Sequence, residues 1–386
     1  MGQTTDASAM NRYSGRMITM QILQLRRKMK TLEAGFMTKR ENYLRAVRFE
    51  RPDHIPMTFA INAACWHAYP HEALFELQAS HPLLFPDFSR PSGDFKPYIH
   101  PVARKGVPYT DDFGCVWETT EDGITGTVTG HPLAEWSSFA SCRFPDPEVC
   151  TGIGPIDWMK TNTEIAAARA CGELTWGGLR HGHTFLQLCD LRGYQNLMFD
   201  MADDETNLHI LLEKLEAFNL HTVNRYLDAG VDVIGYGEDL GMQKGPMVSP
   251  AFFREFIKPS YQRLMKPARD KGTIVHMHSD GDLHDLIGDL IDGGVEVINL
   301  QDLVNGVEWI ANRFAGKVCV DLDIDRQVVT PYGTPDEIDD HIRSEVDAIG
   351  RKEGGLTMIY GLYPGVPLEN VKALMDAMEK YAFLFS

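Results

Sequence analysis

The stretch Thr273-Ile-Val-His-Met-His-Ser-Asp-Gly-Asp-Leu283 decides how we interpret the chain. Its short β-branched start is typical of a buried strand. Side chains alternate between the two faces of a strand, so His276, His278 and Asp280 share one face. A glycine then ends the strand, and Asp282 can cap the following helix. A core histidine with a second helix-capping aspartate would give a similar pattern. Titratable groups at this position are nevertheless typical of α/β enzyme sites.

Strand and helix patterns alternate along most of the chain. Short runs of β-branched and apolar residues predict strands at 55–60, 173–176, 231–237, 273–278, 295–301, 318–324 and 356–361. Amphipathic segments predict helices near 184–199, 203–229, 250–271, 282–293, 305–315, 335–351 and 367–381. This alternation, at intervals of about 25–45 residues, indicates parallel strands joined by crossover helices.

The seven predicted strands favour a barrel. An eighth strand within residues 61–150 would close the ring. A doubly wound sheet would instead need a glycine-rich phosphate turn, and Gly235-Tyr-Gly237 is too short to serve as one. We therefore predict a single-domain (β/α)8 TIM-type barrel over residues 38–386, preceded by a helical or flexible N-terminal extension over residues 1–37.

Two segments depart from the strand–helix pattern. Residues 1–40 carry eight Lys and Arg against two acidic residues, and the extension is predicted to be dispensable for folding. Residues 61–150 are rich in proline, glycine and aromatic residues. Within them, Val116–Glu118 and Thr125–Thr129 predict a hairpin. We expect this second segment to cover one mouth of the barrel.

Composition excludes several classes of partner. The chain has 37 Lys and Arg against 54 Asp and Glu, a formal charge of −17, which argues against nucleic acid and anionic membranes. Its seven cysteines contain no Cys-x-x-Cys pair, which favours reduced thiols over a disulfide framework. We see no 18-residue apolar run and no secretory signal. These features predict a cytoplasmic protein.

In a barrel, polar residues at the inward-facing strand ends meet at one mouth. The residues expected there are Arg180, His181, His183, Glu238, His278, Asp280, Gln301, Asp323 and Tyr360. A set of Glu, His and Asp suits Zn²⁺ with an open coordination position. For each acidic residue, a salt bridge or a helix cap is the alternative role.

Four motifs together resemble the uroporphyrinogen decarboxylase superfamily over residues 38–386. They are His278-Ser-Asp-Gly281, Glu238-Asp-Leu-Gly241, Ser249-Pro-Ala-Phe-Phe-Arg-Glu-Phe-Ile-Lys-Pro259 and Pro367-Leu-Glu-Asn370. The resemblance implies a (β/α)8 barrel with its site at the C-terminal mouth. It also implies one of two chemistries, decarboxylation or methyl transfer linked to a corrinoid protein.

Departures from the family motifs favour methyl transfer. Decarboxylases of the family carry an arginine-rich Met-Arg-Gln-Ala-Gly-Arg segment after the first strand, where this chain reads Ile61-Asn-Ala-Ala-Cys-Trp-His67. Without those arginines, a substrate with several carboxylates loses its bidentate clamps. Members specific for coenzyme M carry His-x-Cys-Gly and a distal cysteine, where this chain has His278-x-Asp280-Gly281 and Tyr360. The set of oxygen and imidazole ligands resembles the methyl-ether-cleaving members more closely.

The resemblance therefore implies transfer of a methyl group from a small methylated compound, with a methoxy compound favoured, to a corrinoid carried by a partner protein. Zinc would be held by Glu238, His278 and Asp280, with His276 orienting a ligand from deeper in the barrel. Asp280, Asp323 and Tyr360 are the expected catalytic residues. Arg180, His181, His183 and Gln301 are the expected substrate-binding residues. A homodimer is a further expectation.

Two alternatives to methyl transfer stay open. One is metal-independent decarboxylation of a carboxylated small molecule by an inward-facing acid. The other is a relative that binds a corrinoid partner without performing chemistry.

Overall fold

The structure is a computed structural model, and it describes residues 37–93 and 95–386 of the chain. The expectation for the extension over residues 1–37 therefore falls outside the described residues, apart from Met37, and stays a prediction. None of the helices in the described ranges is long and apolar enough to cross a membrane.

The described part of the chain is built around a parallel sheet. The strands are β1 (Met57–Ile61), β2 (Tyr109–Thr110), β3 (Val116–Glu118), β4 (Thr127–Gly130), β5 (Trp176–Gly178), β6 (Val233–Gly237), β7 (Ile274–His278), β8 (Val297–Gln301), β9 (Cys319–Asp323) and β10 (Leu356–Leu362). Seven of them pair in the order β1-β10-β9-β8-β7-β6-β5, and each pair is parallel. All seven predicted strands are thus confirmed, in a curled sheet of the TIM-barrel type.

Helices pack on the outer face of this sheet and at its two ends. They are α1 (Lys39–Arg48), α2 (Cys65–Ala68), α3 (His71–Ser80), α4 (Trp158–Ala170), α5 (Phe185–Arg192), α6 (Tyr194–Ala202), α7 (Thr206–Ala229), α8 (Pro250–Phe252), α9 (Lys258–Asp270), α10 (Ile287–Gly293), α11 (Asp302–Asn305), α12 (Val307–Phe314), α13 (Val329–Tyr332), α14 (Pro335–Ile349) and α15 (Leu368–Tyr381). A π-helical turn, Phe253–Ile257, joins α8 to α9, and 3₁₀ turns cover Pro101–Ala103 and Trp136–Ser141.

Local sequence signals set several helix ends. Thr334 forms a capping box with Glu337 at the start of α14, and Pro335 occupies the first helical position. Gly230 adopts a left-handed conformation that ends α7.

The outward-facing strand residues pack on the helices. The Tyr236 hydroxyl, for example, donates to the Leu264 carbonyl of α9 at 2.9 Å.

The predicted eighth strand is not found among the described residues. Between β1 and β5 the chain forms a separate antiparallel sheet, ordered β2-β3-β4, whose strands are two to four residues long. Their backbone groups pair with one another in this ladder, so they do not extend the parallel sheet. The predicted hairpin is confirmed, since β3 and β4 pair antiparallel. We call residues 101–130 the flap.

The base of the barrel is fastened by an ion pair. Arg40 in α1 donates from Nε and Nη2 to the Asp232 carboxylate, at 2.9 and 2.8 Å. The same carboxylate accepts hydrogen bonds from the amide and hydroxyl of Thr175, just before β5. Tyr43 of α1 packs edge-on against Trp176, with ring centroids 5.8 Å apart. Helix α1 therefore covers the N-terminal end of β5 and β6.

At the opposite end, the loops that follow β6 and β7 cross at two glycines. Gly281 has φ +88°, and a Cβ there would lie 2.2 Å from the carbonyl carbon of Gly241. Gly241 N donates to the Asp280 carbonyl at 3.1 Å across the same crossing. Only a residue without a side chain fits this contact.

We expect Gly281→Ala to lower the free energy of unfolding by at least about 2 kcal/mol more than Gly245→Ala. Gly245 lies in the same region with φ +74° and nothing within 4 Å of a built Cβ. Its substitution should cost only the left-handed strain of about 1–2 kcal/mol. Urea unfolding of both variants measures the difference. Equal decreases in the free energy of unfolding would show that the two loops are not in tight contact at Gly281.

Candidate active site

A cavity of about 820 Å³ lies at the C-terminal mouth of the barrel. Its floor consists of residues at or after strand ends, and its cover comes from the flap. The main lining residues are Val102, Trp117, Thr125, Gly126, Thr127, Val128, Arg180, His181, Asp239, His278, Asp280, Asn299, Asp323, Arg326, Ile359, Gly361 and Tyr363. The expectation that residues 61–150 cover one mouth is therefore confirmed.

Two imidazoles and a carboxylate meet on the floor of this cavity. His181 Nε2 lies 3.2 Å and His278 Nε2 3.6 Å from the same Asp239 oxygen, Oδ1. One ligand atom from each of the three residues lies within 4.8 Å of the other two. Two histidine nitrogens and one carboxylate oxygen are a donor set that zinc uses with a fourth position left open. We call this group the mouth triad, and its donor chemistry fits zinc.

The orientation of His278 is fixed from below. Its Nδ1 is hydrogen-bonded to Asn299 Oδ1. The amide Nδ2 of Asn299 donates to the Asp321 carbonyl at 2.7 Å, so the amide oxygen faces the imidazole. Nδ1 of His278 then carries a hydrogen, which makes Nε2, on the side of Asp239, the ring nitrogen that a metal could bind.

Deeper in the barrel, Asp321 is held on two sides. His276 Nε2 lies 2.9 Å from its Oδ2, and the Thr357 hydroxyl donates to Oδ1 at 2.7 Å. His276 therefore acts on His278 only indirectly, through Asp321 and Asn299. The prediction that it orients a metal ligand stays a prediction.

The protonation of the mouth triad is set by its own ion pair. Burial lowers the pKa of His181, but the hydrogen bond and charge of Asp239 outweigh it, and the pKa is raised overall. Burial raises the pKa of Asp239, but the hydrogen bond and charge of His181 outweigh it, and the pKa is lowered. A metal would replace the proton that these two residues share.

A second polar group adjoins the triad. Arg326 Nη2 lies 3.0 Å from Asp323 Oδ2 and 3.5 Å from Asp280 Oδ1. Asp280 Oδ1 is also 3.9 Å from His278 Nε2. Burial raises the pKa of Asp323 to about 8 against the opposing charge of Arg326, with further increases from Asp280 and Asp321. At neutral pH Asp323 is therefore mostly protonated and able to donate a proton.

Arg180 lines the cavity with its charge already compensated. Its Nη2 lies 3.1 Å from Asp190 Oδ2, and its Nη1 lies 3.5 Å from Asp111 Oδ2. The guanidinium also lies over the Trp117 ring, 5.6 Å from its centroid, and Trp117 Nε1 donates to Asp111 at 2.9 Å. Arg180 thus joins the flap to the barrel, and its predicted role in substrate binding stays a prediction.

Glu238 does not lie with His278 and Asp280, contrary to the sequence prediction. Its Oε1 accepts from the amides of Thr184 and Leu186 at 2.9 and 2.8 Å, and the Tyr261 hydroxyl donates to Oε2. The carboxyl is fully buried, which raises its pKa to about 8.

Strand register explains this difference. Gly237 pairs with His278 and shares its inward face, so the next residue, Glu238, points outward to the helices. Asp239 returns to the inward side and takes the place predicted for Glu238.

Three other predicted residues also lie away from the cavity. His183 is fully buried, its Nδ1 is 2.7 Å from Thr184 Oγ1, and burial lowers its pKa to about 3. Tyr360 is fully buried on the outward face of β10, where its hydroxyl bonds to Thr330 and burial raises its pKa to about 12. Gln301 accepts from the Gly281 amide at 2.9 Å and supports the glycine crossing.

The structure thus brings together Arg180, His181, His278, Asp280 and Asp323 from the predicted set. Two further residues at the site, Asp239 and Arg326, were not predicted from the sequence. Asp239 has a readable signal, because it follows Gly235 and Gly237 at every second position. Arg326 follows β9 in an irregular loop, and no periodicity marks it.

Comparison with known proteins defines the class. A profile described as "Uroporphyrinogen decarboxylase (URO-D)" matches residues 111–381. The chain therefore belongs to the uroporphyrinogen decarboxylase family.

Two kinds of curated relatives are similar to it. It is 27% identical over 189 residues to a uroporphyrinogen decarboxylase of Thermus thermophilus, covering 47% of this chain and 51% of that protein. It is 26% identical over 165 residues to the methylcobamide:CoM methyltransferase MtaA of Methanosarcina barkeri, covering 41% and 44%. The chain thus spans about half the length of the curated relatives it matches.

A solved structure supports the fold. A methyltransferase from Methanosarcina mazei aligns with a TM-score of 0.59 at 18% identity, covering 89% of this chain and 99% of that chain. At this level of identity the likeness concerns the fold alone.

The raised pKa of Asp323 predicts a pH effect on stability. Its folded value of about 8 lies above the value of about 3.9 in an unfolded chain, so unfolding releases a proton. Stability should therefore fall as pH rises between these values. In chelator-treated protein, Asp323→Asn should lose less stability from pH 5 to pH 8 than the wild type, by on the order of 2 kcal/mol. Denaturant unfolding at both pH values measures this, with exposed Asp292→Asn as the control. If the free energy of unfolding changed equally with pH in Asp323→Asn and in the wild type, the raised pKa of Asp323 would be wrong.

Proposed function

We propose that this protein transfers a methyl group from a small methoxy compound to a corrinoid carried by a partner protein, with zinc bound at the cavity floor. The observation that carries the proposal is the mouth triad of His181, Asp239 and His278 at the base of a substrate-sized cavity. Among the residues lining this cavity none is a cysteine, so the available donors are nitrogen and oxygen. This harder set suits activation of an ether oxygen better than activation of a thiol.

Zinc, when bound, supplies a Lewis acid that stabilises negative charge on the oxygen from which the methyl group leaves. His181, Asp239 and His278 would hold it, and Asn299 keeps the Nε2 of His278 available. Asp280 and Asp323 form a second possible ligand set with His278. Arg326 lies between these two carboxylates, which favours the mouth triad as the metal site.

The reaction balances without a further reagent. The methyl–oxygen bond breaks with its electron pair left on the oxygen, and that oxygen takes a proton from the protein. The methyl group passes to cobalt(I), whose electron pair forms the new bond. Asp323 is the proposed proton donor because it lines the cavity beside His278 and Asp280, and Arg326 at 3.0 Å stabilises the carboxylate that forms.

The cavity walls favour an apolar substrate body. Val102, Trp117 and Val128 of the flap face Leu186 and Ile359 of the barrel around the cavity. Apolar walls with a few convergent polar groups are typical of small-molecule sites. An aryl or alkyl methyl ether matches this distribution, with its oxygen towards the floor.

Exposed apolar residues surround the mouth and favour a docked partner. Met242, Leu303, Val328, Tyr332 and Tyr363 all lie on segments that follow barrel strands, and each is exposed. Large exposed apolar groups around a site mark interaction surfaces. Because the methyl acceptor must reach the open side of the cavity, we assign this rim to the corrinoid protein. A second copy of this chain is the alternative occupant.

Decarboxylation is the second candidate, favoured by the similarity to uroporphyrinogen decarboxylase. The two cavity arginines argue against a substrate with several carboxylates. Arg180 is held by Asp111 and Asp190, and Arg326 lies 3.5 Å from the Asp280 carboxylate and 3.0 Å from the mostly protonated Asp323. The floor itself is rich in carboxylates, which would repel such a substrate.

A direct assay separates the two reactions. The full chain, loaded with zinc, is incubated with cob(I)alamin and a panel of methoxyarenes. We expect loss of the cobalt(I) absorbance with an equal amount of phenol released, abolished by chelator. Release of carbon dioxide from carboxylated substrates, unaffected by chelator and without phenol formation, would replace the methyl-transfer proposal by decarboxylation.

Two neighbouring residues test the metal assignment. Asp239→Asn should weaken zinc binding more than about 100-fold, because it removes a ligand. Glu238→Gln should leave it within about tenfold, because that carboxyl faces the helices. Zinc titration with a fluorescent competitor measures both, and circular dichroism checks folding. If Glu238→Gln lost zinc while Asp239→Asn kept it, the outward placement of Glu238 would be wrong.

The rim predicts a separate effect on the partner. Tyr332 is 84% exposed beside the mouth, and Tyr332→Asp should raise the KM for the corrinoid protein about tenfold while zinc content stays unchanged. The matched control is Met159→Asp in α4, where the side chain is 79% exposed. It should change neither the KM for the corrinoid protein nor the zinc content. If both variants bound the corrinoid protein equally, the rim would not be its docking surface. Sedimentation of the chain alone shows whether a second copy covers it.

A further inference from the structure

A second group of potential metal ligands lies behind the loop that follows β9. Asp302 begins α11, and His341 and Glu345 lie one turn apart on α14. His341 Nε2 is 2.9 Å from Asp302 Oδ2 and 3.2 Å from Glu345 Oε1. One ligand atom from each residue lies within 4.8 Å of the other two. None of the three lines the cavity at the mouth. We call this group the rear triad.

Glu345 is the residue in this group whose carboxyl oxygens lack a hydrogen bond, although His341 Nε2 lies 3.2 Å from its Oε1. Its side chain is fully buried, and neither oxygen has a hydrogen-bond partner among the described residues. The single Nε2–H of His341 is directed at Asp302, so it does not donate a hydrogen bond to Glu345. A buried carboxylate without partners is strongly unfavourable unless a proton or a cation neutralises it. Burial accordingly raises the pKa of Glu345 well above its usual range.

We propose that Asp302, His341 and Glu345 bind a divalent cation of the zinc type at a site separate from the mouth. One imidazole with two carboxylates is an established zinc donor set, and its two negative charges balance the ion. Ligand atoms around tetrahedral zinc lie about 3.3 Å apart, close to the 2.9 and 3.2 Å seen here. Calcium needs six to eight oxygen ligands, which this group does not offer. On binding, His341 releases its Nε2 proton and Glu345 its carboxyl proton to solvent, so that two carboxylates face the ion.

The position of the rear triad gives it a structural role in the active site. Asp302 Oδ2 also accepts from the Asp325 amide at 2.8 Å. Asp325 in turn accepts from the amides of Gln327 and Val328 at 3.0 and 2.8 Å. The intervening residue, Arg326, reaches Asp323 in the cavity. A cation held by Asp302 therefore fixes the loop that places Arg326.

The test uses the full chain carrying His278→Ala, which removes the ligand shared by both groups at the mouth. After zinc loading and removal of free metal, we expect one equivalent of zinc per chain. Adding His341→Ala or Glu345→Gln should abolish it. Adding His209→Ala should leave it unchanged, since His209 is a helical histidine paired with Asp204 at 2.6 Å outside both groups. Because the mouth is disabled throughout, failure of the methyl-transfer proposal does not affect this result.

Glu345→Gln also separates a metal site from a protonated carboxyl, because Gln keeps the shape and the neutral state without binding zinc. If a metal binds, zinc should raise the Tm of the His278→Ala protein and slow amide exchange over residues 325–329, and Glu345→Gln should remove both effects. A His278→Ala protein that holds no zinc, or a Tm that responds to neither zinc nor chelator, would overturn the proposal and leave an internal ion pair. Zinc retained after His341→Ala would overturn it equally.

Discussion

The in-register pairing of β6 with β7 is the constraint on which the site depends. Gly235 lies beside His276 and Gly237 beside His278, so the inward face of β6 carries no side chain where β7 carries imidazoles. A Cβ on Gly237 would lie 3.2 Å from His181 Cδ2. The glycines therefore leave the space in which His181 and His278 approach Asp239. A slip of one residue in this pairing would turn Glu238 inward and remove the mouth triad.

A second constraint is that the polar groups of the barrel are satisfied in layers. Asp321 and His276 form the lowest layer, Asn299 links it to His278, and Asp239 lies above. Hydrogen bonds fix His278 through Asn299, and Asp239 through His181 and the Asp280 amide, so the donor atoms at the mouth are oriented before any ligand arrives. This rigidity suits the proposed metal site, which would keep one coordination position open.

The strands and helices were predicted well from the sequence, because a short run of β-branched residues marks a buried strand without reference to distant parts of the chain. All seven parallel strands, the flap hairpin and the cover over the mouth could be read in this way. Individual site residues were harder to predict. Side chains alternate between faces only within a strand, so the side on which a following residue lies depends on where the strand ends. Glu238 and Tyr360 were assigned to the inward face, and both point outward. Arg326 could not be found, since its position depends on a loop held by Asp302 from another strand end.

The separation of the two sheets has a consequence for how such a protein can diversify. Within residues 37–93 and 95–386, the antiparallel strands of the flap pair with one another, and the parallel sheet keeps its own ladder. Changes of length or residue type in the flap therefore need not shift the register that builds the floor. Arg180 contacts Asp111 of the flap and Asp190 of the barrel. These two ion pairs connect the two parts and would have to be retained when the flap changes. In the proposed function, recognition and chemistry are therefore divided between two pieces of chain, and the first could be exchanged while the second is retained.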